Sequence, residues 1–443
     1  MLAGCHRSPN IPNVSSVDYD LDSITARGVL RVVTNYNSVD FMMHKGQQIG
    51  YQYELAKTYA NERGLTLEID ACNDPKEART RLADGKADIW AASLLVDTIS
   101  EWSKDLLYTS AYAQSCIVLV SNERQESLPD SIWVQEGTFE EEVALSVADT
   151  LGWVVVSEPN YSVEQIVQLV GEREIRCTLA PETIARANAW YYPTLDCSIK
   201  LTDKRDMSWV TRSSSPMLAD DLSNWIKSFR KTSKFRHIYR KYMVDERSEQ
   251  VSSMNISADT YSDKYEEIIK RHLPKDDKRI NLALIQSIIF QESRYNPNAQ
   301  SWVGAVGLMQ LMPETGIRFG AKELRDPEQN ISVGISYLIW IDKRLTRYVP
   351  NSIDRLPFSL AAYNVGLGHV MDAIRLARKF DRDTTIWENS VEQALLMKAN
   401  PTVISDKENV KHGYCRGTET VSYVRHIIQR AKNYKAYIRK RGK

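Results

Sequence analysis

The stretch from Asn281 to Glu292 sets Leu282, Ile285, Ile288 and Ile289 at spacings of i, i+3, i+6 and i+7, an apolar face on a helix. Continuing the same period puts Glu292 on that face, four residues after Ile288 and three after Ile289. Apolar surroundings raise a carboxyl's pKa because its charged form is poorly solvated. A carboxylic acid still protonated near neutral pH is the general acid that glycosidic cleavage needs. Asn296-Pro297 terminates the segment, and a helix fraying there would let Glu292 simply reach water. The helix alone leaves both placements open.

Other chemistries find few residues to carry them. A hydrolytic glycosidase uses two carboxylates flanking the bond, but the acids nearest to Glu292, Glu314 and Asp326, read as a helix start and an N-cap. Gly366-Leu367-Gly368 lacks the third glycine and the preceding strand of a phosphate loop. The chain has no GxSxG elbow and no HxxxH pair. Apart from Cys5, the cysteines are Cys72, Cys116, Cys177, Cys197 and Cys415, an odd number without CxxC spacing. This predicts neither a zinc site nor a disulfide framework; a Cys177–Cys197 bridge is conceivable, and buried free thiols are the expectation. No metal or cofactor is implied. Lys plus Arg equals Asp plus Glu at 57 each, so net charge points to no nucleic acid. The 10 Trp and 22 Tyr read first as filling for large cores. No run approaches the roughly 20 apolar residues that span a bilayer.

The elements that position Glu292 divide the 443 residues in two. From Gly28 onward, Val29–Thr34 reads as a strand, 51–61 as a helix and 65–69 as a strand. Asp74-Pro75-Lys76-Glu77 reads as an N-cap, a Pro at N1 and a Glu reaching back from N3; a strand over 87–93 follows. The alternation resumes near Ile132 with strands at 153–157, 175–179 and 198–201 and a helix from Ser162 to Gly171. Segments 116–120 and 209–211 are strands joining the halves. This predicts an α/β module of two lobes sharing two crossovers, with a ligand cleft between them. Residues 246–260 are polar and aperiodic, a linker. Beyond Tyr261 the pattern turns helical, with helices expected at 263–272, 281–292, 313–319, 326–348, 356–364, 367–380 and 421–439. The division is a tether over 1–20, a two-lobed module over 21–245, the linker, and a mainly α domain over 261–443.

Two resemblances add chemistry. Gly50-Tyr51-Gln52-Tyr53-Glu54-Leu55-Ala56, Leu82-Ala83-Asp84-Gly85-Lys86-Ala87-Asp88-Ile89, Tyr108 to Tyr112 and Val134-Gln135-Glu136-Gly137-Thr138 resemble the extracellular solute-binding proteins of amino-acid uptake. Where those place an Arg for the ligand's α-carboxylate, this chain has Ser100-Glu101-Trp102. An Arg forks onto a carboxylate and a Trp cannot, so the expectation is either a peptide or sugar fragment such as a muropeptide, or no occupant. Downstream, Glu292-Ser293, Gly304-Ala305-Val306-Gly307-Leu308-Met309-Gln310, Met312-Pro313, Ala362-Tyr363-Asn364 and Glu419-Thr420 with Tyr423-Val424 resemble the family-one soluble lytic transglycosylases. Those are lysozyme-fold enzymes that cut peptidoglycan. The resemblance implies a lysozyme-like helical domain with Glu292 as its one acid/base. It also implies a cleft lined by Ser293, Gly307, Leu308, Met309, Gln310, Tyr363, Asn364 and Tyr423. The two-module order resembles a group of membrane-bound lytic transglycosylases.

Leu2-Ala3-Gly4-Cys5 resembles a lipobox, which implies lipidation at Cys5 and a periplasmic place, anchored to the outer membrane. The basic end from Arg430 to Lys443 reads as a solvated helix terminus or a contact to an anionic surface. The competing reading is a muropeptide-binding lipoprotein receptor whose helical domain only grips glycan; a second is a hydrolase on the same lysozyme fold.

Overall fold

The computed structural model describes residues 20–44, 47–96, 105–122, 130–189, 191–243, 263–301 and 303–441. Cys5 with its lipobox, Ser100-Glu101-Trp102 and the linker over 246–260 lie outside them.

The first module is two five-stranded sheets with helices around them. In lobe one the spatial order is Thr66–Ala71, Val29–Thr34, Ile89–Trp90, Val210–Arg212, Leu106–Tyr108. In lobe two it is Val154–Glu158, Ser131–Gln135, Cys177–Pro181, Ile117–Asn122, Leu195–Asp196. Val29–Thr34 pairs in parallel with Thr66–Ala71 from Val29↔Thr66 to Thr34↔Ala71, as a strand–helix–strand unit requires. The chain passes between lobes at two neighbouring points, Ala113–Ser115 and Arg205–Met207, which pair antiparallel. Two crossovers are expected, but not at these residues: 116–120 and 209–211, read as the joining strands, belong to the lobe-two and lobe-one sheets as Ile117–Asn122 and Val210–Arg212. Val210–Arg212 then returns to lobe one, antiparallel to Leu106–Tyr108.

Local chemistry sets several boundaries. Asp74 caps the helix Pro75–Ala83 by accepting from the Lys76 and Glu77 amides, but Glu77 does not reach back. Its carboxylate binds Arg81, one turn on, at 2.6 Å, because a full ion pair outcompetes the return bond. The reciprocal capping box sits instead at Ser162 and Gln165. Gly50 carries φ 140°, and a Cβ there would overlap the carbonyl of Asp40, so the turn into helix Tyr51–Glu62 needs glycine. The expected strand over 87–93 shortens to Ile89–Trp90, and 198–201 forms only a bridge from Lys200 to Val118. Five helices of this module go beyond those expected: Leu21–Arg27, Phe139–Leu151, Glu182–Ala189, Pro216–Phe229 and Ser233–Met243. The last two fold back onto lobe one, where Trp209, Trp225 and Phe229 stack with centroids 6.0 and 4.6 Å apart.

Beyond the linker the described elements are helical. Leu282–Ser293 starts at Asn281, whose side chain accepts from the Leu284 amide. Its residues from Ala283 to Phe290 are all buried, so it is a central helix enclosed on every side rather than a one-faced one. The 25-residue Gly417–Arg441 packs along it and Glu266–His272 touches it, while Pro327–Leu345, Ser352–Val365 and Leu367–Lys379 complete the same core. The aromatics do fill cores: Trp90, Trp209, Tyr51, Tyr59, Tyr112, Tyr363 and Tyr434 are among the largest fully buried side chains. Cys72, Cys116, Cys177, Cys197 and Cys415 are free thiols, Cys177 and Cys197 unbridged. Among the described residues no helix is long and apolar enough to cross a membrane.

The modules are docked. Arg416, just before the last helix, donates to Glu164 at 2.9 Å and to Asn188 at 2.6 Å in lobe two, with its guanidinium 3.8 Å from the Tyr191 ring centroid. The Tyr414 hydroxyl donates to Gln168 at 3.0 Å. Ile49 of lobe one packs with Val303, Ala305 and Met312 of the helical domain.

Candidate active site

The central helix ends at Ser293, where Arg294 and Tyr295 take φ of 51° and 65° and turn the chain outward. Ser293 is buried, and its hydroxyl bonds the carbonyls of Ile289 (3.0 Å) and Leu308 (2.8 Å). The second bond ties the helix end to the loop over 299–311. Gln310, at φ 45°, donates from Nε2 to Gly307 O at 2.8 Å and Ala299 O at 3.1 Å, closing that loop on itself. Gly307 has φ 83°, and a Cβ would overlap Asn330 Nδ2 and Leu324 O. The Tyr363 hydroxyl donates to Met309 O at 2.8 Å. Burial first, then the Glu292 carboxylate, pushes the Tyr363 phenol well above its ordinary value, so it stays a donor.

Glu292 is half-buried, so the apolar enclosure expected from periodicity is only partial. Tyr423, from the last helix, donates its hydroxyl to Glu292 Oε1 at 2.7 Å. Burial and the adjacent carboxylate push the Tyr423 phenol far up, so its proton remains available to Glu292. One turn earlier Thr420 donates to Asn364 Oδ1 at 2.8 Å, fixing the last helix against Ser352–Val365.

The nine expected site residues in this domain thus form two linked knots. Gly307, Leu308, Met309 and Gln310 lie in the loop that abuts the helix end, and Ser293 and Tyr363 bond to it from two helices; Tyr423 grips Glu292; Asn364 anchors the helix that carries Tyr423. Leu308 and Met309 are fully buried. Met309, expected to touch a sugar's apolar face, packs against Gly334 and offers that face no surface here. Gln310, expected to position substrate, spends both amide hydrogens on the loop. Asn330 was missed. It is a fully buried asparagine that accepts from the Met309 amide at 2.8 Å and donates to Val306 O and Leu324 O. Its signal was available: a polar residue on the buried face that includes Ile331, Gly334 and Leu338. Of the acids near Glu292 in sequence, Asp326 caps Pro327–Leu345 by accepting from the Gln329 amide at 2.9 Å, and Glu314 is exposed in a first turn. Among the described residues no group of His, Cys, Asp and Glu could hold a metal ion.

Comparison with known proteins agrees with this architecture. Residues 30–245 match the bacterial extracellular solute-binding proteins, family 3, and residues 273–386 match the transglycosylase SLT domain. The class so defined is a lytic transglycosylase domain behind a solute-binding-type module. Over nearly its whole length the chain is homologous to proteins named membrane-bound lytic murein transglycosylase F. That of Desulfosudis oleivorans is 27% identical over 425 residues, 91% of this chain and 89% of that one. That of Actinobacillus succinogenes is 28% identical over 432 residues, 92% and 85%. Among solved structures, an ancestral arginine-binding protein bound to arginine is 20% identical with TM-score 0.44, covering 49% of this chain and 98% of that one.

Proposed function

We propose that this protein is a peptidoglycan lytic transglycosylase with Glu292 as its single acid/base. The observation that carries the reading is the half-buried Glu292 carboxyl at the end of an enclosed helix, held by the Tyr423 hydroxyl at 2.7 Å. Protonated Glu292 delivers its proton to the oxygen bridging N-acetylmuramic acid and N-acetylglucosamine. As a carboxylate it then removes the proton of the muramic 6-hydroxyl, whose oxygen attacks the anomeric carbon of the same sugar. The glycosidic bond breaks, a 1,6-anhydro ring forms, and no water is consumed. Positioned proton transfer contributes about 10²–10⁴-fold. Tyr423 fixes which carboxylate oxygen points away from the substrate. Ser293, Gln310, Tyr363 and Asn364 act through the loop and helices they brace.

The two-lobed module over 21–245 positions or senses wall fragments, and 261–443 performs the cleavage. Relatives named membrane-bound support a membrane-associated, periplasmic protein; lipid attachment at Cys5, to the outer membrane, is the route that the lipobox supplies. The test is release of anhydro-muropeptides from purified sacculi by Glu292→Gln. We expect none, and full release by the variant overturns the assignment. Mass spectrometry of the wild-type products distinguishes a hydrolase, whose fragments are one water heavier.

A further inference from the structure

A crevice of 1060 Å³ opens where both lobes and the helical domain meet. It lies outside the site around Glu292. It backs onto the interlobe cavity across the bond from Gln135 Nε2 to Asn73 O, 2.5 Å long. One wall is lobe one, which presents Asp70, Asp74 and Glu77. Arg81 pairs with Asp70 and with Glu77, so three carboxylates face one guanidinium and the wall stays net negative. The other wall is the helical domain's loop leading into Arg416, which presents Lys407 and Lys411. Among the described residues neither ammonium has an acidic partner: the neighbouring Asp406 is taken by Lys379 at 2.8 Å. Between the walls lie the rings of Tyr36 and Tyr414, 5.7 Å apart at 66°.

Opposite charges that front one space would close onto each other if the chain allowed it. Here the docking contacts hold them apart, with Arg416 on Glu164 and Tyr414 on Gln168 fixing the width. Such a space suits a ligand that carries both charges. An extended residue spans about 3.3–3.6 Å, so a peptide of three residues holds its opposite charges up to roughly 10 Å apart.

We propose that this inter-module crevice is a binding site for a short zwitterionic peptide. Its carboxylates face Lys407 and Lys411, its ammonium faces the Asp70, Asp74 and Glu77 wall, and its aliphatic part rests on Tyr36 and Tyr414. All three bodies contribute, so the site exists only in the docked arrangement. The proposal does not depend on the chemistry assigned to Glu292.

The experiment is calorimetric titration of the full chain with the free tripeptide Ala-Glu-Lys at low and high salt. Saturable binding is expected, weakened at least tenfold by the double variant Lys407→Glu/Lys411→Glu and by salt. Both lysines are exposed and have no acidic partner among the described residues, so thermal melting of that variant should match the parent. Ile184→Trp, which fills the interlobe cavity, should leave binding unchanged. Loss of binding in Ile184→Trp with retention in the double lysine variant would place the peptide between the lobes and overturn the proposal. So would the absence of saturable binding to the parent.

Discussion

The Tyr423 hydroxyl stands 2.7 Å from Glu292 Oε1 across the contact of two helices whose starts lie 135 residues apart in sequence. A hydrogen bond to a charged acceptor is typically worth about 1.5–3 kcal/mol. Tyr423→Phe removes that bond and keeps the ring in its buried place. Turnover on sacculi should fall roughly ten- to a hundredfold, since about 1.4 kcal/mol is tenfold in rate. The melting temperature should move little. A Tyr423→Phe enzyme with unchanged turnover would show that Glu292 needs no such positioning.

Gly307 gives a sharper structural prediction. Its φ of 83° and the overlap of any Cβ with Asn330 Nδ2 and Leu324 O make Gly307→Ala strained twice over. Positive φ for a non-glycine costs about 1–2 kcal/mol, and the displaced Asn330 abandons its bonds to Met309, Val306 and Leu324. Chemical denaturation should show a loss of roughly 2–4 kcal/mol, with activity falling alongside. A neutral Gly307→Ala would mean the loop has another resting shape.

How far the sequence anticipated this depended on whether the deciding contact was local. The strand Val29–Thr34, the caps at Asp74 and Asp326, the helix start at Asn281 and the helix from Ser162 to Gly171 follow from neighbours within a turn, and each lies where the pattern put it. The enclosure of Glu292 was overestimated. Periodicity describes which face is apolar, whereas exposure at a helix end is set by what packs beyond it. Ala283 to Phe290 lie inside the domain, and Glu292 emerges at its edge. Met309 and Gln310 occur in the right place but face inward, because a loop with this many internal bonds must turn side chains onto itself. Arg416 gave no signal at all: nothing local distinguishes an arginine that crosses to another module.

Arg416 carries the third prediction. It is mostly buried, as is Glu164, and Glu164 also takes the amide of Ser38 in lobe one at 2.9 Å. One carboxylate therefore holds lobe one, lobe two and the helical domain together. Removing one partner of a buried pair strands the other, at about 3–5 kcal/mol. Arg416→Met should destabilise by an amount of that order in equilibrium unfolding, and Glu164→Gln added to it should recover part of the loss. If the lobes act on the site through this contact, Arg416→Met should also change the rate of anhydro-muropeptide release relative to isolated folding effects. An additive double variant would show that the two side chains do not share one interaction.

Asp40 supplies a pH dependence whose sign follows from its surroundings. It is fully buried, and burial pushes its carboxyl up to about 6, against the bonds from Ser93 and Asn37 that favour the charged form. An unfolded Asp titrates near the ordinary value of 3.8. The folded state therefore binds its proton more tightly, and the group's favourable contribution is complete below that ordinary value. It is lost as pH rises from about 4 through about 6, and a shift of one unit is about 1.4 kcal/mol. Asp40→Asn keeps an acceptor for the Ser93 amide and cannot ionise. Its stability, measured by urea unfolding between pH 4 and pH 7.5, should decline less with rising pH than that of the parent. Parallel pH curves for the two would mean that Asp40 keeps its charge throughout and that the network around it, not burial, governs its ionisation.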